Sequence, residues 1–163
     1  MKDAVKSEDR AVYAVAPSQD DATIAAALAI LGRRMREPGA ALSTPSSVKD
    51  YLTLKLAEEE REIFAVLWLD RQNRVIDYEP LFHGTLAQTS VYPREVVKRA
   101  MAVNASAVIL SHNHPSGFCE ASSADQHITR ELRDALKYVD VRVLDHIIVA
   151  GTSTLSFAER GYL

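Results

Sequence analysis

The stretch "VILSHNHPSGFCEASSAD" (residues 108–125) sets His112 and His114 two positions apart and follows the second with Asp125. Side chains two apart on a strand share a face, so at the end of the apolar run "AVILSH" the two imidazoles can stand side by side. Pro115 with its fixed φ and Gly117 with its freedom of φ suit a turn leading away from that strand. A helix capped by Ser122 or Ser123 then places Asp125 in its first turn, where a carboxylate can swing back toward the strand end. Two neutral imidazoles, one carboxylate and one water form the three-ligand, open-position arrangement of a hydrolytic zinc site. Such a site also needs a base to take the proton of the water. Glu62, just ahead of the apolar run "IFAVLWLD", and Glu95, at the start of a helix, both qualify, and the residues alone do not choose between them. Glu58, Glu59 and Glu60 read as a solvated helix end.

The elements that must hold these residues follow from periodicity. Residues 1–21 form a polar lead-in interrupted by Pro17, with "AVYAVA" as its apolar island. Residues 22–45 carry a helix and linker: from Asp21 the spacing predicts a helical face of Ile24, Ala27, Leu28, Ile30, Leu31 and Met35, closed by Pro38-Gly39. Residues 46–163 make the main domain. It opens with a helix over "STPSSVKDYLTLKLAEEERE", capped by Ser46 or Ser47 and striped by Val48, Tyr51, Leu52 and Leu56. The period then shortens, and 63–70 and 74–84 read as a hairpin whose first strand is buried on both faces. Pro93 suits the first turn of a helix with Val96, Val97, Ala100 and Met101 inward. The strand "ASAVILSH", the helix "ADQHITRELRDALKYV", the strand "VRVLDHIIVAG" and a short final strand "TLSFAE" complete an α/β domain with flanking helices.

Composition bounds the function. With 163 residues, 47% hydrophobic and 25% charged, the chain is long enough for one domain with a real core. A net charge of −3 supplies no bulk positive field for a nucleic acid backbone. The single cysteine, Cys119, excludes an intrachain disulfide and a multi-cysteine zinc module. No stretch has the length and apolarity of a membrane span, and "MKDAVKSEDR" lacks the apolar core of a signal peptide, so a cytoplasmic location is expected.

The spacing His112-x-His114, seven residues, Ser122, two residues, Asp125 resembles the JAMM motif of the MPN-domain zinc metallopeptidases. The segments "LFHGTL", "SVYPREVVKRAM", "AVILSHNHPSG" and "VRVLDHIIV" are similar to the bacterial RadC-like branch of that family, and the resemblance spans residues 46 to 163. It implies a cytidine-deaminase-like α/β/α sandwich with a mixed central sheet. It also implies one zinc ion per chain on His112, His114 and Asp125, with Glu62 as general base and proton donor to a leaving amine, and Ser122 as hydrogen-bond donor to the oxyanion. The implied activity is hydrolysis of a peptide or isopeptide bond in an unidentified protein or peptide. Larger RadC-like proteins carry an amino-terminal region of helix-hairpin-helix type, where this chain shows a short helical lead-in. In the loop after "HPSG" the branch has an acid and prolines, whereas this chain has Phe118, Cys119 and Ala121. That change bears on loop rigidity, and Cys119 could occupy the open position on the metal.

Blander readings compete at several positions. Ser122-x-x-Asp125 is also a capping box, in which the acid binds the amide of the cap. His146 in "LDHIIV" reads as a hydrogen-bonded strand histidine, and His83 and His127 as structural or surface residues. The letters "HNH" do not make an HNH nuclease, whose histidines lie far apart, and one cysteine cannot supply the P-C-x-x-C of a nucleobase deaminase. Two other functions remain in view. One is a DNA repair accessory of RadC type, against which the acidic charge argues, and the other is a non-catalytic MPN interaction module, against which the intact residue set argues.

Overall fold

In the computed structural model, strand β1 (Ile63–Leu69) is buried at every position, as its unbroken apolar run requires of a strand covered on both sides. Its odd positions Ile63, Ala65, Leu67 and Leu69 share a core with Ala107 and Ile109 of β3 (Ala107–Asn113). That core is closed by α1 (Gln19–Arg36) and α2 (Pro45–Leu56) through Met35, Val48, Tyr51, Leu52 and Leu56. The even positions Phe64, Val66 and Trp68 join Val108 and Leu110 in a second core, closed by α3 (Pro93–Ala102) and α4 (Ser123–Lys137). With β2 (Val75–His83), β4 (Arg142–Ala150) and β5 (Ser153–Ser156) the sheet runs β2-β1-β3-β4-β5. Only β3 and β4 are parallel among its neighbours, so the result is the expected α/β sandwich with a mixed sheet. Pro80 is tolerated because β2 is an edge strand.

The described residues are 18–36, 45–84 and 90–163. The "AVYAVA" island, Pro38-Gly39 and the "TL" of "LFHGTL" lie outside them. No described helix is long and apolar enough to cross a membrane.

Several local expectations are corrected. Helix α1 starts at Gln19, behind Ser18, and its Ile30 is 42% exposed. Met101 of α3 is 64% exposed, although Val96 and Ala100 are fully buried. In both helices the contact with the sheet is narrower than the apolar stripe, which leaves the residue at its margin in solvent. Pro45 begins α2, so Ser46 and Ser47 lie inside the helix rather than capping it. The helix stops at Leu56, well short of Glu62: the Asn113 amide nitrogen donates to the carbonyls of Glu59 and Arg61, drawing that segment into line with β1. At the carboxyl end, "TLSFAE" divides into β5 and the one-turn helix α5 (Phe157–Arg160). Ser156 makes the division, because its hydroxyl accepts the Glu159 amide at 3.1 Å.

Candidate metal centre

Strand β3 delivers the first histidine. His112 lies opposite Phe64 on β1, 1% exposed, with its ring stacked against that phenylalanine. The His114 amide donates to the Val149 carbonyl at 2.8 Å, so the ladder to β4 extends one residue past β3 and the two imidazoles keep a common face. The chain then turns through Pro115 and Ser116, with the Gly117 amide bonded to the His114 carbonyl and Gly117 at φ 78°. The turn brings the Phe118 carbonyl to 2.8 Å from His114 Nδ1, which must donate to it. At the start of α4, Ser122 is the cap: its amide and hydroxyl donate to Asp125 Oδ2 at 2.8 and 2.7 Å, and its Oγ accepts the Asp125 amide at 3.1 Å.

The capping reading and the ligand reading of Asp125 are therefore both satisfied by one carboxylate. Its Oδ1 lies 3.3 Å from His112 Nε2, its Oδ2 lies 3.6 Å from His114 Nε2, and the two Nε2 atoms are 3.0 Å apart. One ligand atom from each of the three residues lies within 4.8 Å of the others, so the group can hold a metal ion. The bonding around it fits that use. His114 spends its Nδ1 proton on Phe118, which in the neutral ring leaves a lone pair on Nε2. Electron-rich atoms this close require a cation among them, a proton or a metal. Burial works against the Asp125 carboxylate, but hydrogen bonds from His112, His114 and Ser122 outweigh it and hold the group well below the usual carboxylate range. The hydrogen bond to Asp125 pushes the His114 pKa up, against partial burial and helped by the Phe118 carbonyl and the charges of Asp125 and Glu62.

Glu62 immediately precedes β1. It lies two residues before Phe64, the residue paired with His112. Its charge is felt at His114, as noted. Glu95, the competing candidate, engages Arg94 at 3.5 Å and Lys98 at 3.4 Å on its own helix. His127 is exposed and faces Glu131, and His83 is exposed at the end of β2. Cys119 is absent from the donor group and packs instead against the small cluster of Ile148, Leu155 and Phe157. Burial pushes its thiol pKa up, against the pull of Arg160.

Asn113 and Thr129 escaped the reading of the sequence, while His146 is the hydrogen-bonded strand histidine expected there, with partners that reach the centre. Asn113, the middle letter of "HNH", faces away from the histidines and accepts the Ile63 amide at 2.7 Å, besides its two bonds to the Glu59 and Arg61 carbonyls. It thereby anchors the backbone on both sides of Glu62. His146, fully buried, lies with Nε2 2.8 Å from His112 Nδ1 and Nδ1 2.6 Å from the Thr129 hydroxyl. Burial, with the nearby charge of His112, depresses its pKa far below the ordinary value. Asn113 carried a signal in its neighbours, since a polar residue inside an apolar strand end demands partners. Thr129 carried none, and its pairing with His146 depends on the packing of α4 on β4.

Comparison with known proteins agrees with this geometry. The family model described as the RadC-like JAB domain matches residues 42–162. The UPF0758 protein of Thiobacillus denitrificans is 53% identical over 95% of this chain and 72% of its own length. That of Leptothrix cholodnii is 61% identical over 74% of this chain, which spans only 54% of that relative. UPF0758 protein YfjY of Escherichia coli is 50% identical over 91% of this chain and 93% of its own. With a strand end, a turn and a helix cap converging on one group of side chains able to hold a metal ion, and a family model covering the whole sheet, the chain belongs to the RadC-like JAB domain family.

Proposed function

We propose that this protein is a zinc-dependent hydrolase of peptide or isopeptide bonds, with residues 46–163 as its catalytic domain. The observation that carries the reading is the convergence of His112, His114 and Asp125 beside the strand that Glu62 precedes. His112 and His114 would each offer Nε2 and Asp125 a carboxylate oxygen, the nitrogen and oxygen donors zinc accepts. A bound zinc ion supplies Lewis acidity, lowering the pKa of a water and polarising the substrate carbonyl. Glu62 takes the proton of the attacking water and returns it to the leaving amine, a role worth about 10²–10⁴ in rate. Ser122 donates to the developing oxyanion. Its proton rests on Asp125 Oδ2, so this role requires the hydroxyl to rotate toward substrate.

The substrate is an unidentified protein or peptide, and the expected compartment is the cytoplasm. Metal analysis of protein purified without chelator should give about one zinc per chain, and His114→Ala should remove it. Stoichiometric zinc surviving that substitution would overturn the ligand assignment. Salt-sensitive DNA binding by the wild-type protein would instead favour an accessory role in DNA repair.

A further inference from the structure

Behind His112 the hydrogen bonds have only one consistent direction. The Thr129 hydroxyl has a single proton, and the Asp125 main-chain carbonyl 2.5 Å away can only accept it. In the 2.6 Å contact between Thr129 Oγ1 and His146 Nδ1, the imidazole must therefore be the donor. An imidazole closed off from water between a second imidazole and a hydroxyl takes its neutral form, which has one proton. With that proton on Nδ1, His146 Nε2 is an acceptor, and the 2.8 Å contact is a bond donated by His112 Nδ1. With its Nδ1 holding that proton, His112 has only Nε2, the atom facing Asp125 and His114, to offer a metal ion.

We propose that Thr129 and His146 are positioning residues, a relay that locks His112 in the Nδ1–H tautomer and holds its Nε2 ready for a metal ion. The relay rests on the zinc reading for its purpose but not for its existence. It also closes on itself: Asp125 ends it through the main-chain carbonyl and meets its product through the carboxylate. The seating of α4 on β4 thus sets the protonation pattern of a histidine on β3. A metal-bound histidine commonly donates its other ring N–H to an oxygen acceptor, which fixes its tautomer. Here the acceptor is another imidazole, which can accept only because Thr129 holds the proton of that ring on the far side.

The test is two-bond ¹H–¹⁵N spectroscopy of the histidine rings in the full chain, first metal-free at about pH 8, where an ordinary histidine is neutral, then titrated with zinc. The wild-type protein should show a proton on Nδ1 of both His112 and His146 before any metal is added, whatever proton His112 Nε2 shares with Asp125 and His114. Thr129→Val, which keeps the shape and removes the hydroxyl, should mix the tautomers and weaken zinc binding about 10- to 100-fold in chelator competition. Thr129→Ser should restore both. His146→Gln, with an acceptor near the position of Nε2, should bind zinc more tightly than His146→Leu. A wild-type His112 with no proton on Nδ1 overturns the relay without any variant, as does a Thr129→Val protein with unchanged tautomers and unchanged zinc affinity. If the wild-type tautomers are as stated but no zinc binds, the relay stands and the zinc reading falls.

Discussion

At the start of α1, the Ser18 amide reaches the Asp21 carboxylate at 2.8 Å and the Asp21 amide reaches the Ser18 hydroxyl at 3.1 Å. At the start of α4, Ser122 and Asp125 repeat the same pair of bonds at the same distances. Yet Asp21 stands in solvent, while the side chain of Asp125 is only 15% exposed and faces two histidines. A third start, at α5, uses Ser156 and Glu159, and there the carboxylate leaves the cap to pair with Lys49 at 2.7 Å. A serine with an acid three residues on is thus a local device for beginning a helix. What lets one of the three join a group able to hold a metal ion is the strand end it faces, which no window of four residues contains.

The comparison fails first if the two aspartates prove equivalent. Asp125→Asn keeps an oxygen for the cap but removes the charge, and it should strip zinc from the protein, whereas Asp21→Asn should leave metal content unchanged. Metal analysis of the two purified variants decides, and equal retention would erase the distinction. Next in size, Glu62→Gln should cut hydrolysis about 10²- to 10⁴-fold with zinc retained, and Glu95→Gln should do neither. Replacing the serines sharpens the contrast further. Ser122→Ala should lower hydrolysis about 10²- to 10³-fold through the lost oxyanion donor, and should cost about 1 kcal/mol in denaturant unfolding through the lost cap. Ser18→Ala should leave hydrolysis untouched. Asn113→Ala probes the strand end itself. Leaving the Ile63 amide unpaired should cost about 1–3 kcal/mol and lower turnover more than zinc affinity, because the anchored backbone carries Glu62 rather than a ligand. The smallest effect is expected at Cys119: with its pKa raised, less of the thiol ionises, so at about pH 8 it should alkylate more slowly in the folded protein than in denaturant.

The layered fold and the triad of donors were legible because both rest on short-range pattern. Unbroken apolar runs mark strands covered on both faces, and the spacing from His112 to Asp125 places a strand end, a turn and a cap in sequence. Whatever depended on contacts between distant segments was not. The early end of α2 follows from Asn113, some fifty residues downstream, and the proton pattern of His112 from Thr129 and His146 on two other elements. Ile30 and Met101 went astray because helical periodicity gives the apolar stripe but not the width of the contact it meets. The box at Ser18 was readable in principle, as serine with an acid three residues later, but the polar residues around it concealed it.

His114 is steadied by the carbonyl of Phe118, a main-chain atom that every amino acid supplies. Mutational drift at this position can therefore change what lies at the mouth of the centre without disturbing the imidazole behind it. The Phe118 side chain, 75% exposed, is free to vary in that sense, while Gly117 at its positive φ is not. For a designer, or for a lineage acquiring a new target, the loop is a replaceable collar around fixed chemistry.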